Sequence, residues 1–112
     1  MIDQTSLTMI ARRLKAMADP SRLSLLHALC GGERNVTDLV TETGFSQANV
    51  SKHLRVLREE ELVSTRRDRN MVYYRLTSEL PREICGLIGR SLEHQARTER
   101  TVLSLYRRTM HE

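Results

Sequence analysis

Apolar residues recur at helical spacing over the first part of the chain. They predict a first helix over about residues 5–17 and a second helix that begins at Asp19-Pro20 and stops at the glycine pair 31–32. A short third helix is predicted over about residues 37–43, and Gly44 suits the left-handed position that ends a helix. Three short helices in succession therefore open the chain.

A longer amphipathic helix follows after a tight connection. Ser46 is a good N-cap, and the helix is predicted from Gln47 to about Glu61. Val50, Leu54 and Leu57 fall at positions i, i+4 and i+7, which makes them the inward stripe of this helix. The opposite face is polar and is therefore open to a partner.

The period of the pattern changes after the fourth helix. Residues 63–67 and 71–76 are rich in β-branched and aromatic residues, with the turn residues 68–70 between them, and so predict a β-hairpin. A last, long helix is predicted over about residues 80–107. The fold class is therefore mainly α with a small β-hairpin, in the order α1-α2-α3-α4-β1-β2-α5, which is the layout of a winged helix-turn-helix. We expect a single domain over residues 1–112.

Charge suggests the kind of partner. The formal net charge of +4 and the sequence pI of about 9.6 favour a polyanion. On the fourth helix, Gln47 could bond adenine, Lys52 could bond guanine, and the Ala48 methyl group could meet a thymine methyl. The candidate DNA-binding residues of this helix are Ser46, Gln47, Ala48, Asn49, Ser51, Lys52, His53 and Arg55. The alternative interpretation is an ordinary solvated helix face.

The hairpin offers a second basic surface. The candidate DNA-binding residues at its tip are Arg66, Arg67, Arg69 and Asn70, with Arg75 on the return strand. A two-stranded ribbon with arginines at its tip can lie along the phosphate backbone or reach the minor groove. The alternative is an exposed strand edge that charge protects against aggregation.

Three segments together make the chain recognisable. The segments MADPSRLSLLHAL, VTDLV and SQANVSKHLRVLREEELVSTRRDRNMVYYRL lie between Met17 and Leu76, and in this order they resemble the ArsR (ArsR/SmtB) family of bacterial repressors. The resemblance implies an autoregulatory repressor that binds palindromic operator DNA as a homodimer. Such a repressor leaves DNA when an effector binds, commonly a metal ion, arsenite or a reactive sulfur species. The resemblance places base reading at Gln47, Ala48, Ser51 and Lys52, with His53 nearby, and the wing at residues 66–70.

The resemblance also assigns dimerisation to the first and last helices. A last helix of roughly 28 residues would be about 42 Å long, which exceeds the diameter of a domain of this size. We therefore expect both end helices to pack against a second copy of the chain. The predicted interface residues are Leu7, Ile10, Leu14, Ile84, Leu87, Ile88 and Leu92.

The sequence lacks the metal-ligating residues that members of the family carry at two recurrent sites. The soft-metal site needs a Cys-x-Cys pair near the start of the third helix, where this chain has Asn35 to Asp38 without a thiol. The last helix lacks the Asp and His spacing of the other metal site, although it carries Glu83, Glu93, His94 and Glu99. We expect neither a metal site nor a cofactor.

The two cysteines, Cys30 and Cys85, are the other candidates for an effector site. Thiol-sensing members of the family use one thiol from the second helix and one from the last helix, so this pair is a candidate sensor of an oxidant or a reactive sulfur species. Two alternatives stay open: both cysteines are small buried hydrophobes, or Cys85 has a role with arsenic or another metal. His27, which lies among the leucines of the second helix, is expected to pack in the core.

Other function classes lack their sequence signals. No Gly-rich phosphate loop, nucleophile elbow or metal-hydrolase spacing is present, so we expect no enzyme. The first residues do not read as a signal segment and no apolar run has the length of a membrane span, so we expect a cytoplasmic protein with reduced cysteines and no membrane partner. A winged helix that makes only protein contacts stays as the alternative function.

Overall fold

The computed structural model describes the backbone of residues 1–111 and the side chains of residues 1–109. Within this range the elements follow the predicted order. They are α1 (Gln4–Met17), α2 (Pro20–Leu29), α3 (Val36–Thr43), α4 (Gln47–Glu59), β1 (Val63–Asp68), β2 (Met71–Leu76) and α5 (Leu80–His111). Residues up to Arg82 form one compact unit, and α5 from Glu83 onward forms a second one.

Polar side chains determine where the helices begin. Asp19, Asn35 and Ser46 each accept a hydrogen bond from the backbone N–H three residues further on. At Asn35 the arrangement is reciprocal, because the Asp38 carboxylate accepts a bond of 3.2 Å from the Asn35 N–H. Gly44 has the predicted left-handed conformation, with φ of 75°, and ends α3. The two helices α3 and α4 are thus separated by a short, well-defined turn.

The core of the first unit lies between the end of α1, the helices α2, α3 and α4, and the start of β1. Val50, Leu54 and Leu57 are at most 1% exposed, which confirms the predicted inward stripe of α4. The other buried apolar residues of this core are Ala16, Met17, Leu25, Leu26, Leu29, Leu39, Leu62 and Val63. Burial of this stripe fixes which face of α4 points outward, because a helix turns by 100° per residue.

The hairpin pairs in antiparallel register from Val63 opposite Leu76 to Asp68 opposite Met71. It has a second attachment, to the loop between α2 and α3. The backbone of Arg34 in that loop donates to the Tyr74 carbonyl at 3.1 Å and accepts from the Tyr74 N–H at 2.8 Å. The second strand of the hairpin is therefore bonded to β1 on one edge and to the loop on the other.

Two boundaries near the hairpin differ from the prediction. α4 ends at Glu59, because Glu61 adopts a left-handed backbone with φ of 58° and the Leu62 N–H bonds back to a carbonyl of the last turn at 2.9 Å. β1 includes Asp68, so the turn consists of residues 69 and 70 alone. The first turn residue has φ of 57°, which suits a tight two-residue connection.

The last helix is longer than predicted. α5 has 32 residues, which corresponds to about 48 Å, and it reaches His111 because neither Gly nor Pro interrupts it after Gly89. None of the helices within the described residues is long and apolar enough to cross a membrane. Among the described side chains of α5, the large apolar ones that stay exposed are Leu80, Leu87, Ile88, Leu92, Val102, Leu103, Leu105 and Tyr106.

Candidate nucleic-acid interface

The outward face of α4 is polar, cationic and accessible. Gln47, Ala48, Ser51, Lys52 and Arg55 are all exposed. Residues four apart lie one above another on a helix, so Ala48 and Lys52 form one row beside a second row of Gln47, Ser51 and Arg55. The structure therefore brings five of the eight residues predicted on this helix together on one face.

The start of α4 is held by the turn that precedes it. The Ser46 hydroxyl accepts a hydrogen bond of 3.1 Å from the Asn49 N–H, and Asn49 itself is half-buried. The Thr43 hydroxyl donates to the Leu39 carbonyl at 2.6 Å and accepts from the Phe45 N–H at 3.2 Å. These local bonds hold α3 and α4 in a fixed relative orientation, so the outward face of α4 is presented rigidly.

His53, which is grouped with the candidate DNA-binding residues, is buried rather than exposed. Its side chain is only 8% exposed, because it lies one position from the inward stripe of α4 and shares that buried face. Its Nδ1 atom is 3.5 Å from the Arg22 guanidinium, which also donates to the Ala16 carbonyl at the end of α1. His53 and Arg22 therefore join α4, α2 and the end of α1 rather than facing solvent.

Arg66 lies in mid-strand rather than at the tip of the hairpin, which corrects the prediction for this residue. Its guanidinium contacts both carboxylate oxygens of Glu33, with the shortest distance at 2.8 Å, and lies 4.9 Å from the centre of the Tyr73 ring. The hydrogen bond from Arg66 lowers the pKa of Glu33, and the carboxylate in turn raises the pKa of Arg66. Arg66 thus makes an internal contact with the loop between α2 and α3.

The other candidates of the hairpin are exposed. Among the described residues, Arg67 and Arg69 take part in no ion pair within the 4 Å limit that defines one, and Asn70 completes the exposed tip. Arg75, on the return strand, donates to the Ser64 hydroxyl at 3.3 Å. The cations of the hairpin that stay available to an anion are therefore Arg67 and Arg69, with Arg75 partly engaged.

Sequence reasoning missed the part of this surface that holds the hairpin in place. Glu33 and Arg34, in the loop between α2 and α3, contact Arg66 and Tyr74 of the hairpin. The Arg34 side chain also donates to the Glu42 carboxylate in α3 at 2.7 Å. Glu33 and Arg66 are 33 residues apart in the chain, and Arg34 and Tyr74 are 40 residues apart. No local sequence pattern could therefore have predicted these two contacts with the hairpin.

The two cysteines are free thiols. Cys30 is half-buried and Cys85 is exposed, so neither is a fully buried hydrophobe. Cys30 lies on an open pocket of about 710 Å³ between α2 and α3, and His27 lines the same pocket. His27 is exposed, so the prediction that it packs in the core is wrong. Within the residues described, no three His, Cys, Asp or Glu side chains are grouped so that they could hold a metal ion.

The apolar faces predicted for dimerisation are open in the single chain. Leu7, Ile10 and Leu14 of α1 are 43–48% exposed, and Leu87, Ile88 and Leu92 of α5 are 57–62% exposed. Ile84 is half-buried. Exposed leucine and isoleucine side chains in a row are typical of a surface that a partner covers.

The elements of the first unit define a winged helix-turn-helix protein: a short helix, a tight turn, a second helix with a polar outward face, and a hairpin. The chain belongs to the arsR family of bacterial regulatory proteins, whose family model matches residues 19–65. The solved structure of NolR from Sinorhizobium fredii supports this membership. It is 35% identical, covers 80% of this chain and 93% of its own, and has a TM-score of 0.71.

Two further similarities bear on what such proteins do. The chain is 41% identical over 68 residues to a biofilm growth-associated repressor of Xylella fastidiosa, an alignment that covers 61% of this chain and 60% of the repressor. It is also similar to a homodimeric winged helix-turn-helix DNA-binding domain from Mycobacterium bovis. That structure is 32% identical, covers 83% of this chain and 88% of its own, and has a TM-score of 0.71. The match to the Xylella fastidiosa repressor spans about three fifths of that protein's length.

Proposed function

We propose that this protein is a sequence-specific DNA-binding transcriptional repressor that acts as a homodimer. The observation that carries the proposal is the outward face of α4, where Gln47 and Ser51 are exposed, and Lys52 and Arg55 are exposed without an ion-pair partner among the described residues. The family membership and the repressor among the relatives support the same function. In a bacterium such a repressor works in the cytoplasm, where the chromosome is.

In this proposal α4 enters the major groove and the hairpin contacts the phosphate backbone. Gln47 offers a bidentate amide that suits adenine, and Lys52 offers a donor that suits guanine N7 and O6. The Ala48 methyl group suits the methyl group of thymine. Arg67 and Arg69 supply charge for phosphates, which fixes orientation and affinity without reading sequence.

Dimerisation is proposed to use α1 and α5, with the whole chain as one functional domain. The exposed apolar residues of both helices supply the surface, and the homodimeric relative from Mycobacterium bovis supports a two-fold assembly. A two-fold axis would place two copies of α4 about 34 Å apart, which matches one turn of DNA. The operator is therefore expected to contain two related half-sites.

An effector is proposed to release the repressor from an operator ahead of its own gene. Cys30 and Cys85 are the candidates for an oxidant or reactive-sulfur sensor, since both thiols are free and neither is fully buried. Formation of a disulfide or polysulfide bridge at these thiols would favour an arrangement of the dimer in which its two copies of α4 no longer fit the DNA. The inducer is then a small oxidant or sulfur species rather than a metal ion.

The proposed function is tested by fluorescence anisotropy with a DNA fragment from upstream of the gene and a scrambled fragment of equal length. We expect preference for the upstream fragment and a loss of affinity by orders of magnitude between about 50 and 200 mM salt. Lys52→Ala should weaken binding to the upstream fragment at least about tenfold, because each subunit loses a base contact.

Lys15→Ala is the matched control, since Lys15 and Lys52 are the only lysines of the chain and Lys15 lies on α1. It removes the same charge and should keep the preference for the upstream fragment. If the wild-type protein shows neither sequence preference nor steep salt dependence, the chain is a protein-interaction module and the proposal is wrong.

A further inference from the structure

We propose that Glu33 is a positioning residue for DNA binding, which holds the hairpin at a fixed angle to α4 through its ion pair with Arg66. The inference deepens the proposed function and depends on it for its effect on DNA. Glu33 contacts no base or phosphate in this proposal. It acts through Arg66, and the cations that meet DNA are others.

The side-chain contact is bidentate and supported from a second side. Three distances between 2.8 and 3.2 Å join the Arg66 guanidinium to the two carboxylate oxygens of Glu33. Tyr73, which pairs directly with Arg66 across the hairpin, places its ring 4.9 Å from the same guanidinium. A bidentate pair fixes orientation as well as distance, which a single contact cannot do.

The backbone next to Glu33 makes the second half of the same attachment. Arg34 forms two hydrogen bonds with Tyr74, and its side chain is bonded to Glu42 of α3. We name the contacts of Glu33 with Arg66 and of Arg34 with Tyr74 the wing clamp. The wing clamp connects the hairpin to the loop that leads into α3, and α3 is connected to α4 by the short turn at Gly44.

The geometry of a strand explains why this contact concerns DNA. Successive side chains of a strand point to opposite faces, so Arg66 and Arg67 point to opposite sides of β1. When Arg66 is held against Glu33, the neighbouring Arg67 is directed away from the loop, where it stays exposed. The wing clamp therefore selects which arginine of the hairpin is offered to the phosphates.

Simple electrostatics predicts a different effect for a substitution of Glu33. Glu33→Gln removes a negative charge near the basic hairpin and frees Arg66, so a pure charge argument expects tighter binding to any DNA. The positioning argument expects weaker preference for the specific fragment, because the hairpin loses its fixed angle. The charge argument leaves the ratio of the two affinities unchanged, whereas the positioning argument lowers that ratio, so one experiment separates them.

The experiment measures anisotropy of the full chain with the upstream fragment and the scrambled fragment at one salt concentration. We expect Glu33→Gln to lower the ratio of the two affinities by about fivefold, because a dimer carries two such pairs and an exposed pair has a small effect. Glu83→Gln is the matched control, since it removes the same charge from an exposed position at the start of α5. Its ratio should equal that of the wild type.

Amide hydrogen exchange supplies a readout that does not involve DNA. Exchange at the Tyr74 N–H should be faster in Glu33→Gln than in the wild type, and the charge-swapped pair Glu33→Arg with Arg66→Glu should restore both slow exchange and the affinity ratio. An unchanged ratio together with tighter binding to both fragments would overturn the positioning role. Unchanged exchange would overturn the wing clamp itself. A wild-type protein that prefers neither fragment refutes the proposed function, whereas the exchange result still decides whether the clamp exists.

Discussion

The two faces of α4 can be separated by a pair of neighbouring substitutions, Leu54→Ala and Arg55→Ala. Leu54 is 1% exposed within the core, and truncation of a leucine in such a place costs about 3 kcal/mol through reduced burial and the cavity left behind. A chain of 112 residues has a total stability of about 6–15 kcal/mol, so the variant should fold at room temperature. Its Tm should fall by roughly 10–15 °C.

Arg55 should behave in the opposite way. Its side chain is exposed and has no ion pair among the described residues, so Arg55→Ala should change stability by no more than about 0.5 kcal/mol. Its DNA affinity should fall, and the slope of log affinity against log salt should become shallower by about one for each phosphate that Arg55 neutralises. Thermal unfolding and salt-dependent anisotropy, both at one protein concentration, measure the two effects. A Tm for Arg55→Ala as low as that of Leu54→Ala, or an unchanged salt slope, would refute this division of the helix.

Three further predictions concern the dimer, the thiols and pH. Leu92→Glu places a charge on an exposed apolar face of α5 and should shift the protein toward monomer in sedimentation equilibrium without loss of helix content; an unchanged dimer would remove α5 from the interface. Cys30→Ser and Cys85→Ser should each abolish the loss of DNA binding after polysulfide treatment, and a response that survives both would make the cysteines structural. The pKa of Asp19 is lowered mainly by its bond from the Arg22 N–H, so its stabilising effect is full above the ordinary pKa of about 3.9 and is lost as pH falls through the lower folded value. Asp19→Asn keeps the cap without the titration, and its Tm should therefore fall less than that of the wild type between pH 5 and pH 2.5.

The order of elements could be predicted because each one depends on local chemistry. The inward stripe Val50, Leu54 and Leu57 follows from helical period alone, and the turn at Gly44 follows from the need for a left-handed residue. Helix starts were also readable, since N-cap side chains bond to the backbone within three residues. The end of α4 could not be predicted in this way, because Glu61 adopts a left-handed conformation that is unusual for a glutamate.

Side chains at the margins of a helical face were harder to predict. His53 lies one position from Leu54, and whether such a residue is buried depends on what the neighbouring helix offers. In this protein Arg22 of α2 lies against the imidazole of His53, and the histidine is therefore buried with the core. His27 differs in the opposite direction: leucines surround it in sequence, but its side chain lies on the open pocket between α2 and α3 and stays exposed.

The charge of the hairpin shows most clearly what a sequence pattern leaves undecided. Arg66 and Arg67 are adjacent and identical in chemistry, so composition assigns them the same role. Their roles diverge because strand geometry sends them to opposite faces, and only one face meets Glu33. A count of basic residues therefore overestimates the cations available to DNA, and the partner that removes one of them lies 33 residues away in the chain. If Glu33 positions the hairpin as proposed, this acidic residue supports DNA binding although its charge opposes it.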